Sequence, residues 1–125
     1  MKEIIISEFT TVLGSACVLT RIDVSARSHH IWCLDQPLNA LAVVLPRNTE
    51  DVSNIMRIGY RHNQTVIVHG GLTNLVGSTE TNGEEIVISM EKMNRVEEVD
   101  TQSRTMTVQA GVVLEEAQMA AKEKD

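Results

Sequence analysis

The sequence predicts an α+β domain, in which a small parallel sheet with helices against it leads into an antiparallel hairpin and a closing helix. A short continuous apolar run at 41–46 (LAVVLP) is typical of a strand that is covered on both faces. Residues 65–69 (TVIVH) are predicted to be a second buried strand and residues 85–89 (EIVIS) a third strand. Residues 94–111 alternate around a turn near DTQS, which indicates a hairpin. Residues 112–125 are rich in strong helix formers.

The chain begins with a predicted helix and an irregular lead-in. The helical spacing comes from four apolar residues: Ile5, Phe9, Val12 and Leu13. Gly14 stands where such a helix would end. Residues 15–40 show no sustained period, so we expect extended, irregular chain there. The predicted division is an N-terminal helix with its lead-in at 1–40 and a main subdomain at 41–125.

The segment between the first two strands carries the clearest helix signals. Asn48 or Thr49 can cap it, and acidic residues follow in the first turn, where the helix dipole favours negative charge. The two flanking strands should be parallel with a right-handed crossover. The predicted apolar face of this helix consists of Val52, Ile55, Met56 and Gly59.

The hairpin and the closing helix are predicted from weaker patterns. Adjacent Glu97 and Glu98 break the alternation of the first arm, which indicates a bulge or an edge position. The second arm places Met106, Val108 and Ala110 on one face. The apolar set of the closing helix consists of Val113, Leu114, Ala117 and Ala121.

Composition limits the classes of function. The chain has 125 residues, of which 42% are apolar and 22% charged, as in one globular domain with one core. A net charge of −6 without a Lys/Arg cluster argues against nucleic-acid binding. The apolar stretch at the N-terminus is short and interrupted by Glu3 and Glu8, so we expect no membrane span and a cytoplasmic protein.

Several reactive side chains have structural interpretations. Cys17 and Cys33 sit in no CxxC pattern and are predicted to be reduced, buried thiols. Residues 29–35 (HHIWCLD) include metal-ligand types, but adjacent histidines on extended chain point to opposite sides, so we predict no metal site. His62 and His69 have no catalytic partner nearby in sequence, so we predict no catalytic residue. The methionines interpreted as core are Met56, Met90, Met93, Met106 and Met119.

The stretch VHGGLTNLVGSTETNG, residues 68–83, directly follows the second strand, and ligands collect at such strand ends in α/β sheets. It lacks the GK[ST] of a Walker A loop, and its glycines do not run into a helix as in a dinucleotide fingerprint. A nest of backbone N–H groups at 70–74, with the hydroxyls of Thr73, Ser78 and Thr79, can hold an anion without a cation. An ordinary surface loop fits the same residues.

Three ordered segments carry a resemblance to a known family: VVLPRNTEDV, GGLTNLVGST, and MNRVEEVD followed by TVQAGVVLEE. They resemble the first half of the FAD-binding domain of FAD-linked oxidases, the vanillyl-alcohol-oxidase or PCMH-type flavoproteins. The similarity covers residues 41–120 and is greatest to glycolate oxidase flavin subunits, D-lactate dehydrogenases and D-2-hydroxyglutarate dehydrogenases. It implies that 41–125 is an incomplete FAD-binding subdomain whose glycine loop binds the FAD pyrophosphate.

The resemblance also implies which residues bind the cofactor. Leu72 and Asn74 stand where the family commonly has Gly or Asn, and Gly. The Leu72 side chain should therefore point away from the phosphates, while Asn74 tolerates a positive φ. Thr73 replaces the histidine that links flavin in covalent relatives, which implies non-covalent FAD, and His69 flanks the loop. The implied site consists of His69, Gly70, Gly71, Leu72, Thr73, Asn74, Gly77, Ser78 and Thr79.

The implied activity of the parent enzyme is oxidation of a small 2-hydroxy acid, with FAD accepting hydride from the α-carbon. The family's second glycine-rich segment and its substrate domain are not found in these residues, so the chain is interpreted as an N-terminal fragment that holds the cofactor. Open sheet edges predict self-association. Two alternatives stay open: a relative of UDP-N-acetylenolpyruvoylglucosamine reductase, and a non-catalytic module without flavin.

Overall fold

A computed structural model describes residues 1–124 and shows two sheets and four α-helices in that part of the chain. The first sheet has four strands in the order β1-β2-β4-β3, of which β2, β4 and β3 are parallel and β1 is antiparallel to β2. The second sheet is the antiparallel pair β5-β6. The elements are α1 (Lys2–Leu13), β1 (Val18–Leu19), α2 (Ile22–Ser25), β2 (Ala42–Val44), α3 (Thr49–Arg61), β3 (Val66–His69), β4 (Ile86–Ser89), β5 (Val96–Asp100), β6 (Thr105–Val108) and α4 (Leu114–Glu123).

The cap of α3 follows the sequence prediction. The Asn48 side chain accepts a hydrogen bond from the Asp51 N–H at 2.8 Å, and the Asp51 carboxylate accepts one from the Arg47 N–H at 2.9 Å. These bonds satisfy N–H groups at the helix start that have no partner within the helix. The predicted buried face is partly wrong, because Met56 is 48% exposed and Ile58 is buried in its place.

The strands β2 and β3 are parallel, as predicted, but β4 lies between them. Val43 and Ile67 both pair with Val87, so the middle strand is the last of the three in the chain. This leaves β3 at the edge of the sheet, where Val68 is 57% exposed. The prediction of a strand covered on both faces is therefore correct for β2, and the prediction of a buried strand is wrong for most of β3.

The lead-in contains more regular structure than its sequence predicts. A 3-10 turn at Ser15–Cys17 leads into β1, which pairs with β2 through Val18↔Val44 and Leu19↔Val43. A strand of two residues is too short to show a period in sequence. The lead-in and α1 share one hydrophobic core with the sheet and α3: Ile5, Phe9, Leu13, Cys17, Val18, Val24, Leu38, Ala42, Val43, Val44, Leu45, Ile55, Ile58, Ile86, Val87 and Ile88.

The predictions for sulfur-containing side chains are only partly confirmed. Cys17 and Cys33 are both free thiols, and Cys17 is buried, but Cys33 is partly exposed. Met93 is buried and Met90 packs against the core. The core assignment of Met56 and Met119 is wrong, since both side chains are exposed.

The hairpin has the predicted bulge, since its register shifts between Val96 and Glu98. The closing helix α4 also forms, but no residue of it is buried, and Leu114 is 72% exposed. Val108, on the predicted apolar face of β6, is exposed as well. The hairpin and α4 together form a second unit, and within residues 1–124 its Val108 and Leu114 side chains have no covering layer. None of the helices in this part of the chain has the length and apolarity needed to cross a membrane.

Gly111 joins the second unit to the first. Its N–H donates to the Met93 carbonyl at 2.8 Å. A Cβ atom at this position would overlap the carbonyl oxygen of Met90 and would lie 2.9 Å from that of Met93. The backbone can approach the end of β4 this closely only because residue 111 has no side chain.

Candidate functional site

The glycine loop begins at the carboxyl end of β3, and a hydrogen bond from the His69 side chain connects its far end back to that strand. His69 is the last residue of β3 and is only 4% exposed. Its Nε2–H donates to the Thr79 carbonyl at 2.8 Å. Thr79 is buried too, so the bond closes residues 70–78 into a loop with a fixed base.

Asn74 braces the loop from inside. Its Oδ1 accepts hydrogen bonds from the N–H groups of Val76 at 3.2 Å and Gly77 at 3.1 Å, and its Nδ2 donates to the Thr79 hydroxyl at 3.0 Å. Gly77 has a φ of 75°, a conformation that glycine adopts without steric cost. The turn at 74–79 is therefore held by the chain itself.

Neither the packing nor the backbone conformation of the fold requires glycine at residues 70 and 71. A Cβ atom on either residue would meet nothing within 4 Å, and neither residue has a positive φ. Among residues 1–124, the N–H groups of Gly71, Leu72 and Thr73 donate no backbone hydrogen bond. The structure thus combines open space with N–H groups that have no partner in the described chain, and an anion-binding nest requires both.

Two clefts meet at this glycine pair. The hairpin-side cleft has a volume of about 560 Å³ and lies between the loop and residues 110–116. The lead-in cleft has a volume of about 290 Å³ and lies between the loop and residues 27–34. Gly70, Gly71 and Glu91 line both clefts. The glycine pair therefore lies between two open spaces.

Charged side chains border the glycine pair. Arg27 Nη1 lies 2.7 Å from Glu91 Oε1, which also accepts a hydrogen bond from the Ser89 hydroxyl at 3.0 Å. Partial burial raises the pKa of Glu91, but the bonds from Arg27 and Ser89 outweigh burial and lower it overall. Glu91 is therefore a carboxylate at neutral pH.

The backbone strain in the loop falls on Leu72 rather than on Asn74. Leu72 has a φ of 59°, a conformation that costs a residue with a side chain roughly 1–2 kcal/mol. Its carbonyl accepts a hydrogen bond from the Ile31 N–H at 3.1 Å, which ties the loop to the lead-in. The side chain is partly buried against the lead-in cleft.

Two substitutions at residue 72 separate strain from packing. We expect Leu72→Gly to be more stable than Leu72→Ala by about 1 kcal/mol, because both lose the side chain and only glycine relieves the strain. At an ordinary helix or strand position the order would be reversed. Urea unfolding of the two variants measures the difference, and an alanine variant that is the more stable would contradict the conformation of the loop.

Burial lowers the pKa of His69 below its ordinary 6.5, and the charges of His29 and Arg27 lower it further, against an opposing effect of the bond to Thr79. The folded protein therefore binds this proton less readily than the unfolded chain. The contribution of His69 to stability is fully present above pH 6.5, the pKa of this group in the unfolded chain. It is lost as the pH falls towards the lower pKa of the folded state.

We expect this loss of stability at acidic pH to depend on His69. His69→Gln keeps a side-chain donor near Thr79 but removes the titrating group. Urea unfolding at pH 7 and pH 5 should show a smaller decrease in the free energy of unfolding for the variant than for the wild type. Equal decreases would show that another group carries the acid sensitivity.

The structure brings the nine predicted site residues into one loop but gives them different positions. The three residues that shape the loop are His69, Asn74 and Thr79, whereas Gly70, Gly71, Thr73 and Ser78 are exposed. The sequence prediction missed the residues that line the clefts from other segments, because they are distant in sequence and follow no motif. They include Arg27, Glu91, Asn94 and Gly111.

The matched family model is that of an FAD binding domain, and it covers residues 40–125. Alkyldihydroxyacetonephosphate synthase of Trypanosoma brucei brucei is 32% identical over 131 residues, a match that covers 90% of this chain and 21% of that protein. D-2-hydroxyglutarate dehydrogenase of Xanthomonas citri pv. viticola is 36% identical over 93 residues, covering 74% of this chain and 20% of the relative. Glycolate oxidase subunit GlcD of Bacillus subtilis is 38% identical over 72 residues, which cover 58% of this chain and 15% of that subunit.

Solved structures share the fold. An alkyldihydroxyacetonephosphate synthase superposes with a TM-score of 0.83 at 20% identity, over 98% of this chain and 25% of that one. The glucose dehydrogenase Phl p 4 N158H superposes with a TM-score of 0.82 at 18% identity, over 97% and 26%. The chain spans about a fifth of the length of the first curated relatives. By the family match and the shared α+β fold, the chain belongs to the FAD-binding domain family of FAD-linked oxidases.

Proposed function

We propose that this chain holds FAD by its pyrophosphate at the glycine loop, as part of an oxidoreductase that acts on a small 2-hydroxy acid. The observation that carries the proposal is the pair Gly70 and Gly71. Nothing in residues 1–124 requires glycine there, whereas a phosphate group that approaches the backbone does. The division into a lead-in at 1–40 and an FAD-binding subdomain at 41–125 belongs to the same proposal.

Some loop residues would bind the phosphates, and others would hold the loop in its conformation. The N–H groups of Gly71, Leu72 and Thr73 would donate to the phosphates, and the exposed hydroxyls of Thr73 and Ser78 would add donors. His69 and Asn74, with Thr79 and Gly77, would keep the N–H groups in position before the ligand arrives. Preorganisation of this kind lowers the entropic cost of binding.

We propose that the flavin is held without a covalent bond. The exposed side chain beside the glycine pair is that of Thr73, a hydroxyl, and residues 70–79 contain neither histidine nor cysteine. Two histidines line the lead-in cleft beside the loop. His69 is buried and bonded to Thr79. The Nδ1 of His30 accepts a hydrogen bond from the Trp32 N–H. When bound, FAD supplies the two-electron acceptor, and the loop residues only bind and orient it.

The proposed substrate class rests on the names of two relatives, a D-2-hydroxyglutarate dehydrogenase and a glycolate oxidase subunit. A second candidate is the flavin-holding part of an alkyldihydroxyacetonephosphate synthase. That candidate is favoured by the longest sequence match described above, over 90% of the chain, and by a TM-score of 0.83. Both candidates use the same loop, so a test of flavin binding applies to each.

Titration of the purified chain with FAD tests the proposal. We expect saturable quenching of flavin fluorescence and a shift of the visible flavin spectrum, because the ring system leaves water. After acid precipitation, the flavin should remain in the supernatant, as expected for a non-covalent complex. An unchanged spectrum at saturating protein would reject the proposed function for this chain, and flavin in the pellet would reject non-covalent binding.

Two further expectations stay proposals. The exposed edge of β3 is the place for self-association, since Val68 is exposed there and no strand covers it among residues 1–124. Light scattering that shows a monomer at all concentrations would remove this proposal. The second expectation is a cytoplasmic location.

A further inference from the structure

The structure supplies a cation to a loop that has none in sequence. Residues 68–83 contain no lysine or arginine. Arg27, which follows α2 in the lead-in, nevertheless lines the same cleft as Gly70 and Gly71. Its side chain is 33% exposed, so burial and the loop restrict its position more than on an open surface.

Glu91 holds this cation at the junction of the two clefts. Its Oε1 lies 2.7 Å from Arg27 Nη1 and accepts a bond from Ser89, so two groups fix the carboxylate. Among residues 1–124, the other N–H groups of the Arg27 guanidinium contact no carboxylate. A guanidinium can bind a carboxylate on one side and present further donors to a phosphate on the other.

We propose that Arg27 is the cation of the phosphate site and that Glu91 holds it beside Gly70 and Gly71 while competing with the phosphate for it. The inference rests on the proposed function in one respect, that the ligand's anion is the FAD diphosphate. Without Arg27, Glu91 would leave an uncompensated negative charge beside an anion, and like charges repel. Without Glu91, the whole guanidinium would be available to the phosphate.

Of the two substitutions, only the one at Arg27 should therefore weaken anion binding. Arg27→Gln is expected to weaken binding of inorganic pyrophosphate at least about tenfold and to reduce its salt dependence, since a charge-assisted contact is lost. Glu91→Gln is expected to leave the affinity unchanged or to raise it. If the pair only tethered the lead-in to the end of β4, both variants would lower thermal stability. The two variants would then not differ in their effect on pyrophosphate affinity.

Arg61→Gln provides a matched control. Arg61 forms an ion pair of the same length, 2.7 Å, with Glu8 on α1, and it lines neither cleft. Its loss should change pyrophosphate affinity by less than about twofold, as expected for an exposed pair. Arg27→Lys keeps the charge and should recover part of the affinity, which also serves if Arg27→Gln does not fold.

The experiment measures pyrophosphate and FAD separately by calorimetry on the full chain, with circular dichroism to check folding. Wild-type binding of FAD with unchanged affinity in Arg27→Gln would overturn this inference and leave the proposed function intact. Binding of pyrophosphate but not FAD, with loss in Arg27→Gln, would support Arg27 and reject the proposed function. Weaker pyrophosphate binding in Glu91→Gln, or no binding of either ligand by the wild type, would overturn the inference.

Discussion

Gly111→Ala is expected to lower the free energy of unfolding by about 3 kcal/mol, more than alanine at any other glycine whose surroundings the structure describes. The new Cβ would overlap the Met90 carbonyl oxygen, and it would lie 2.6 Å from the Met90 carbonyl carbon. Both are backbone atoms that cannot rotate away as a flexible side chain could. Overpacking of this kind typically costs 1–3 kcal/mol, and a backbone clash belongs at the upper end.

The damage should be concentrated where the hairpin unit meets the first sheet. The Gly111 N–H would lose its bond to the Met93 carbonyl, and residues 110–116 would move away from the glycine loop. Urea unfolding and amide hydrogen exchange measure both effects. Gly70→Ala is the control, since a Cβ there meets nothing within 4 Å, and its stability should stay within about 0.5 kcal/mol of the wild type. Wild-type stability in Gly111→Ala would contradict the observed docking of the two units.

Local signals predict the helices α1, α3 and α4 and the strands β2 to β6, because their determinants are close in sequence. The Asn48 cap needs only Asp51, three residues on, and the Gly14 end of α1 needs only the turn before it. The apolar runs of β2 and β4 are continuous because both faces of these strands are buried. These elements were predicted correctly.

The order of the strands depends on distant contacts, which the sequence pattern does not contain. Placing β4 between β2 and β3 satisfies the apolar runs as well as the sequential order does, and it alone makes β3 an edge strand. Helix propensity likewise formed α4, but burial of its apolar set requires a covering layer that residues 1–124 do not provide.

The candidate site likewise has features that the local sequence predicts and features that depend on the folded chain. The glycine loop can be recognised as a sequence motif, and the family resemblance implies which of its residues bind the cofactor. The positive φ of Leu72 and the hydrogen bonds of Asn74 depend on the backbone conformation of the loop, which the sequence pattern does not contain. The sequence prediction considered a positive φ only for Asn74. Arg27 and Glu91 lie 64 positions apart in the numbering, and only the fold brings them together at 2.7 Å.

Gly71→Ala is expected to weaken FAD binding at least about tenfold, or about 1.4 kcal/mol, without loss of stability. A Cβ at residue 71 meets no atom of this chain, and the residue has no positive φ, so folding should tolerate the change within about 0.5 kcal/mol. We propose that the phosphates lie in this open space, close to the unused N–H groups at 71–73, so the methyl group would compete with them for it. Loss of binding with retained stability would therefore identify this space as the ligand site.

The most direct test is a fluorescence titration of FAD into the wild type and Gly71→Ala, with urea unfolding of both proteins in the same buffer. Our account predicts a saturable signal for the wild type, a dissociation constant at least about tenfold higher for the variant, and equal unfolding curves. Equal affinities in the two proteins would contradict the claim that the phosphates of FAD lie against Gly70 and Gly71.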